Sequence, residues 1–426
     1  MKAVIAEYRN IRQPRNVGLI SVSHGINEFY GLVIPPIIPL LITDLDITYA
    51  AAGLLLTVFY AMYSIFQLPA GMIADRIGKK RLLVAGLFGM ALGLVIASRA
   101  ESYELLLLAK VLMGIAGSTY HPAGMAMVSD GESKETEGKA MGVFGLGGQI
   151  GVASAPIIIG GIAAIAHWRT ALFFAAGVGI VFTIAFHFLY RIPHTSIHPH
   201  ENAGKRTDGG ADRSDERSSI FSVRSWIQQT LRIEITLGLL LISFVTLLVS
   251  LQIRSIQTFA TGFVADGTGQ TTAMANVVFF VMLAASAISS IWVGSLADRF
   301  DRGKLGVIAA SLTTLLLLTT FIVASLGTAV GELMITGILI VVFGLLGLAL
   351  YGCTPIKNAL ISEYATTDTS GSIFGVTQTA GSAGSAAGPA IFGYIATEFS
   401  ITVAFPLIAV VGLVIAVSFV GISRRT

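Results

Sequence analysis

Glu28 lies in the middle of an apolar run, 17–41, where an ionised carboxylate is costly and persists only if something compensates its charge. Ser21, His24, Asn27, Glu28 and Gly31 recur at three- and four-residue spacing. On a helix they form one polar stripe, with His24 a turn before Glu28. An imidazole and a carboxylate so placed can share a proton or pair as ions, and imidazole titrates near neutral pH. A second stripe joins Lys110, Gly114, Gly117, His121 and Gly124 in the run 103–128, with Lys110 and His121 about 16 Å apart along the axis. In the run 234–263, Ser243, Thr246, Ser250, Arg254, Gln257 and Thr261 share a face. Arg254 has no carboxylate within helical reach and must be met by another helix, an anion or water. The chemistry these side chains suit is proton exchange and anion contact.

The elements that must hold them are membrane helices. The chain has 426 residues, 54% of them hydrophobic and only 12% charged, with a mean hydropathy of +0.80, which excludes a soluble enzyme. The single cysteine, Cys353, excludes an internal disulfide, and a net charge of +3 is too small to suggest nucleic-acid binding. A bilayer core of ~30 Å needs about 20 apolar residues. Twelve runs qualify: 17–41, 49–73, 82–100, 103–128, 140–166, 168–190, 234–263, 272–296, 305–325, 332–361, 372–397 and 400–421. With the N-terminus inside, the Lys and Arg residues fall in cytoplasmic segments, except Arg99 and Arg169 outside and Lys110, Arg254 and Lys357 within runs. The bias places both termini in the cytoplasm of a multi-pass protein of the plasma membrane. The stretch 191–232 reads as a flexible linker between an N-terminal bundle, 1–190, and a C-terminal bundle, 233–426. His194, His198 and His200 lie in that linker without Cys or carboxylate at ligand spacing, so no metal is expected there.

The two halves echo each other. Gly71, Asp75 and Arg76, with Gly78 and Lys79 following, recur 223 residues later as Gly294, Asp298 and Arg299; there the next glycine, Gly303, comes later, as if by insertion. Pro122, Ala126, Ser129 and Asp130 correspond at an offset of 233 to Pro355, Ala359, Ser362 and Glu363. Glycine lets a helix end approach its neighbour, and Asp with Arg can make charge-assisted contacts that hold one side shut in one state and break in the other. This loop pattern resembles the signature of the major facilitator superfamily, and the resemblance covers the whole chain. It implies two pseudo-symmetric six-helix bundles rocking about a site near the bilayer midplane.

Further motifs extend the resemblance. Ala109-Lys110 through Gly114 is similar to the family's helix-4 signature, with Lys110 where an Arg implicated in proton coupling stands; Ala155-Pro156 through Gly160 is similar to its antiporter signature, and Gly388-Pro389 through Gly393 is comparable. Ser23-His24 with Asn27, and His121-Pro122, resemble the fosmidomycin-resistance branch, with Ala123 where that branch has Glu. Gln149 and Gln378 fall two to three turns before these prolines, where they could line the pathway.

The expectation is an all-α transporter, not an enzyme, and most consistent with proton-coupled export of small amphiphilic or anionic compounds; uptake of a metabolite by the same fold is the alternative. Glu28, His24 and Lys110 are the proton-coupling candidates, and Asn27, His121, Gln149, Arg254 and Gln378 the substrate-binding ones. The partners expected are a small solute, protons and lipid, with no cofactor, no metal and a functional monomer.

Overall fold

The computed structural model describes residues 11–192, 236–297, 299–326, 331–364 and 370–423. The linker expected at 191–232 lies outside them from 193 onward, as does Asp298. All of the described secondary structure is helical: α1 (Pro14–Gly31), α2 (Ile38–Leu45), α3 (Tyr49–Ile77), α4 (Lys79–Ser98), α5 (Tyr103–Gly117), α6 (Tyr120–Gly131), α7 (Lys134–Ile165), α8 (Trp168–Leu189), α9 (Leu237–Gly262), α10 (Thr272–Ala297), α11 (Arg302–Leu326), α12 (Glu332–Tyr364), α13 (Ser370–Phe399), α14 (Ile401–Leu407) and α15 (Ala409–Ser423).

Local chemistry sets the boundaries. Thr48, Ser102 and Thr236 accept hydrogen bonds from Ala51, Leu105 and Leu239 N–H groups and so cap α3, α5 and α9, while Ser133 and Thr136 form a reciprocal capping box on α7. Pro35 and Pro36 interrupt the first expected span, which bends by 40° between α1 and α2. The fourth expected span breaks at Ser118 and Thr119, because Pro122 has no N–H for the Ser118 carbonyl and its ring crowds that group. Among the described residues nine helices are long and apolar enough to cross a membrane, or ten if the bent pair counts as one. That is short of the twelve expected. The runs that fall below on this measure are the broken α5–α6 and α13, whose glycine, serine and threonine content lowers its hydropathy.

Helix pairings repeat between the halves. Helix α1 packs on α7 as α9 packs on α13, α4 on α8 as α11 on α15, and α3 on α5 as α10 on α12. In a bilayer such contacts rest on close van der Waals packing, because lipid tails are as apolar as leucine. The approach of α1 to α7 is set by glycine: a Cβ on Gly151 would lie 2.0 Å from the Gly25 carbonyl oxygen. Its counterpart is Gly384 of α13, whose Cβ would lie 2.0 Å from the Leu247 oxygen of α9.

The halves meet through α3 against α13 and α7 against α10. At the end of the bundle away from the termini they close tightly. Tyr49 Oη donates to Asp266 Oδ2 (2.5 Å), the Ala50 N–H to Thr397 Oγ1 (2.8 Å) and Asn276 Nδ2 to the Pro36 carbonyl (2.9 Å). At the same end a Cβ on Gly53 would strike the Pro389 oxygen at 2.2 Å.

The repeated loops lie at the terminal end. Gly78 sits at φ 93°, a conformation that favours glycine, between α3 and α4. Lys79 Nζ pairs with Asp130 Oδ2 at 2.5 Å, and at the equivalent offsets Arg302 pairs with Glu363. The second loop therefore keeps the register of the first at its helix start, and the later glycine does not mark an insertion there. Asp301 occupies the place of Gly78 and caps α11 through the Lys304 N–H (2.7 Å), while Gly303 lies inside α11 against Ser423. Gly71 faces Pro122 of its own half, and Gly294 faces Pro355 of its own. Asp75, Arg76 and Arg299 are exposed, and among the described residues none of the three makes an ion pair.

The glycine contacts predict an uneven response to substitution. Gly151→Val forces a methine carbon into a backbone oxygen and should cost at least the ~1–3 kcal/mol of core overpacking. Gly161→Val, ten residues along the same helix where nothing lies within 4 Å, should leave the thermal unfolding midpoint of the purified protein nearly unchanged.

Candidate functional site

A cavity of about 340 Å³ lies between the halves. Asn27 and Glu28 of α1, His121 of α6 and Gln149 of α7 reach it from one side, and Arg254 of α9 and Gln378 of α13 from the other. Six residues singled out by spacing thus converge on one space. They do so because α1 and α7 pack closely, α6 starts beside them after the break at Ser118, and α9 and α13 repeat the arrangement in the second half.

His24 stands just behind this wall. Its ring lies near-parallel to Phe144, with centroids 4.0 Å apart, and to Tyr120 at 5.5 Å. Its Nδ1 is 2.8 Å from the Phe144 carbonyl oxygen. A carbonyl can only accept, so Nδ1 carries the proton and, in the neutral ring, Nε2 presents a lone pair. That Nε2 is buried without a hydrogen-bond partner, 3.7 Å from Glu28 Oε1. His121 Nε2 approaches the same oxygen to 3.5 Å, and Asn27 Nδ2 donates to it at 3.2 Å. The Asn27 amide thus donates to the carboxylate, while the Nε2 lone pair of a neutral His24 repels it, so it is a proton held between His24 and Glu28 that relieves the cost of charge within the bilayer.

On the opposite wall the Arg254 guanidinium lies over the Tyr60 ring, 4.5 Å from its centroid, so a cation of one half rests on an aromatic face of the other. Arg254 Nη1 donates to Gln257 Oε1 at 2.7 Å, and Gln257 Nε2 donates in turn to Tyr351 Oη. Lys357 also lines the cavity.

Lys110 is not brought to this cluster. It is fully buried against the Phe59 ring, 4.1 Å from the centroid, and its Nζ has no hydrogen-bond partner. Phe59 itself lines the cavity while Lys110 does not. The cation that faces Glu28 across the cavity is Arg254. A separate groove of about 460 Å³ between α1, α7 and α8 is almost entirely apolar and lacks charged side chains, which fits it to lipid rather than to chemistry.

Sequence reasoning passed over three tyrosines. Tyr60 and Tyr63 of α3 and Tyr351 of α12 line the cavity with Ser64, Gln67 and Thr354. The signal was present: Tyr60, Tyr63, Ser64 and Gln67 have helical i, i+3, i+4, i+7 spacing. Tyrosine counted as apolar hides that stripe.

Lys110 Nζ meets the Phe59 ring but has no hydrogen-bond partner, and that lack has a measurable consequence. An unsatisfied buried polar group costs ~1–3 kcal/mol. Replacing Lys110 with the similarly shaped Met should leave the fold intact and raise the thermal unfolding midpoint, and a lower midpoint would show that the amine has a stabilising partner.

The model of the Major Facilitator Superfamily matches residues 19–318 and 242–426. Multidrug resistance protein MdtG of Enterobacter lignolyticus (strain SCF1) is 25% identical over 407 residues, covering 92% of this chain and 88% of that protein. The Probable L-galactonate transporter of Escherichia coli (strain K12) is 32% identical over 149 residues, 35% of this chain, and the chain spans only 33% of that protein's length. The Fosmidomycin resistance protein of Escherichia coli (strain K12) is 30% identical over 142 residues, 33% of this chain and 35% of that protein. Among solved structures, a bacterial homolog to the human lysosomal transporter Spinster, in an inward-facing and occupied conformation, superposes with a TM-score of 0.76 at 14% identity, covering 96% of both chains. The nucleoside transporter NupG, solved as a point mutant, superposes with a TM-score of 0.74 at 12% identity, covering 96% of this chain and 99% of that one. The architecture, the polar cavity between two related halves and the family match agree: the chain belongs to the major facilitator superfamily and is a multi-pass membrane protein.

Proposed function

We propose that this protein is a proton-coupled antiporter that exports small amphiphilic or anionic compounds across the plasma membrane, with both termini in the cytoplasm. The observation that carries this reading is the division of one cavity. One wall holds Glu28 between His24 and His121; the other holds Arg254 and Lys357. Multidrug and fosmidomycin resistance proteins among the relatives support export.

The contacts between halves support alternating access. In this state the end away from the termini is closed by Tyr49–Asp266, Ala50–Thr397 and Pro36–Asn276, so the cavity serves the cytoplasmic side. Opening outward requires those bonds to break and the repeated loops to approach each other, where exposed Asp75, Arg76 and Arg299 become available as cross-half partners. Proton and substrate exchange when both need the same group. A solute that donates a hydrogen bond to Glu28, and lays its apolar part on Tyr60, Tyr63 and Tyr351, displaces the proton that the carboxylate shares with the imidazoles.

The sign of the coupling depends on substrate charge. A fully anionic solute beside Arg254 and Lys357 raises the proton affinity of Glu28 rather than lowering it, which is the linkage of co-transport. Because two cations face the cavity, uptake of an organic anion with a proton is the second reading, and the L-galactonate transporter among the relatives is in keeping with it.

Proteoliposome flux under an imposed pH gradient separates these. With an amphiphilic dye, an inside-acid gradient should drive accumulation, and Glu28→Gln should reduce it at least about tenfold, the equivalent of 1.4 kcal/mol. Flux indifferent to the gradient, or undiminished in Glu28→Gln, overturns proton coupling. With an organic anion, Arg254→Gln should weaken apparent affinity by about 10- to 100-fold, the range expected for losing a charged hydrogen bond.

A further inference from the structure

The geometry points to a transition-metal site in the cavity wall: His24, Glu28 and His121 form a three-ligand site for one divalent ion of the Zn²⁺ type. The ligand atoms, one from each side chain, all lie within 4.8 Å of one another. In a tetrahedral site with bonds of about 2.0–2.1 Å, ligand atoms are about 3.3–3.4 Å apart. His121 Nε2 and His24 Nε2 lie 3.5 and 3.7 Å from Glu28 Oε1, so small side-chain movements complete the geometry.

The orientation of His24 strengthens the assignment. The residue is only 7% exposed, and its Nε2 has no hydrogen-bond partner. Because Nδ1–H donates to the Phe144 carbonyl, the neutral ring directs the Nε2 lone pair toward the carboxylate. A backbone carbonyl on the non-ligating nitrogen is a common means of fixing a metal-binding imidazole, and the Phe144 and Tyr120 rings restrict its rotation. The His24 Nε2 lone pair, the His121 Nε2 atom and a carboxylate oxygen then converge. One proton can bridge only one pair of these atoms, whereas one metal ion satisfies all three.

Two imidazoles and one carboxylate suit Zn²⁺ and its late first-row neighbours better than Mg²⁺ or Ca²⁺, which prefer oxygen ligands. The fourth position opens on the cavity, because His121 and Glu28 both line it. With Arg254 and Lys357 in the same cavity, that position is suited to water or an anion. A bound ion would occupy Glu28 and hold α1 to α6, so Zn²⁺ should also inhibit any transport that uses this carboxylate.

Direct binding tests the site without reference to transport. The full chain, purified in detergent without a histidine tag, is titrated with Zn²⁺ calorimetrically and with Co²⁺ by visible absorption, which reports the coordination geometry. His194, His198 and His200 of the linker offer a competing source of imidazole, so a variant with all three changed to Ala is measured in parallel. One equivalent should bind to the wild type and to the linker variant. In His121→Ala it should weaken at least about tenfold, since loss of even an outer partner costs 10–100-fold. Glu28→Gln carries the same expectation should His121→Ala fail to fold. No saturable binding to the wild type, binding lost with the linker histidines, or binding unchanged in the folded ligand variant overturns the proposal; a negative result leaves the proton-coupling reading to its own flux test.

Discussion

A carboxylate inside a bilayer is the constraint on which the rest of this structure depends. Glu28 lies in the middle of a membrane-length run, so the protein must surround it with groups that tolerate or offset its charge. His24, His121 and Asn27 surround its Oε1 at 3.7, 3.5 and 3.2 Å, the amide as a donor and the imidazoles as sites for a shared proton. Each needs its own support: the Phe144 carbonyl orients His24, and the break before α6 brings His121 to the level of Glu28. None of this holds unless α1 and α7 lie nearly backbone to backbone. Glycines at 25, 147 and 151 permit that approach, so packing of the smallest residues positions the most polar ones.

The two halves share one plan and use it differently. Their helix pairings correspond, as do the Lys79–Asp130 and Arg302–Glu363 pairs and the Gly71–Pro122 and Gly294–Pro355 contacts. Chemistry is divided between them: acid and imidazoles on one wall, Arg254 and Lys357 on the other. A site assembled across an interface changes whenever the interface moves. On the proposed alternating-access reading, that is how ligand occupancy would be coupled to which end is open, because a ligand touching both walls has different affinities for the two arrangements. The Arg254–Tyr60 contact already spans the interface in this state.

The fold was largely legible in the sequence. Apolar runs of bilayer length, the skewed distribution of Lys and Arg and the repeated loop determined a membrane protein of two related helical halves, because hydropathy and charge act through the solvent and need no tertiary partner. Helical spacing determined that Ser21, His24, Asn27 and Glu28 share a face. Tyr60, Tyr63 and Gln67 were equally legible by spacing, and were hidden only because tyrosine counts as apolar.

Which stripes face each other was decided by tertiary structure alone. Lys110 and Arg254 are each a lone cation in an apolar run, yet Lys110 lies fully buried against Phe59 while Arg254 faces Glu28 across the cavity. The sequence could not distinguish them, since the rotation of a helix about its axis is set by the neighbours it packs against. The orphaned Nε2 of His24 was equally beyond the sequence. It follows from a backbone carbonyl 120 positions away that comes within 2.8 Å only when α1 and α7 are packed.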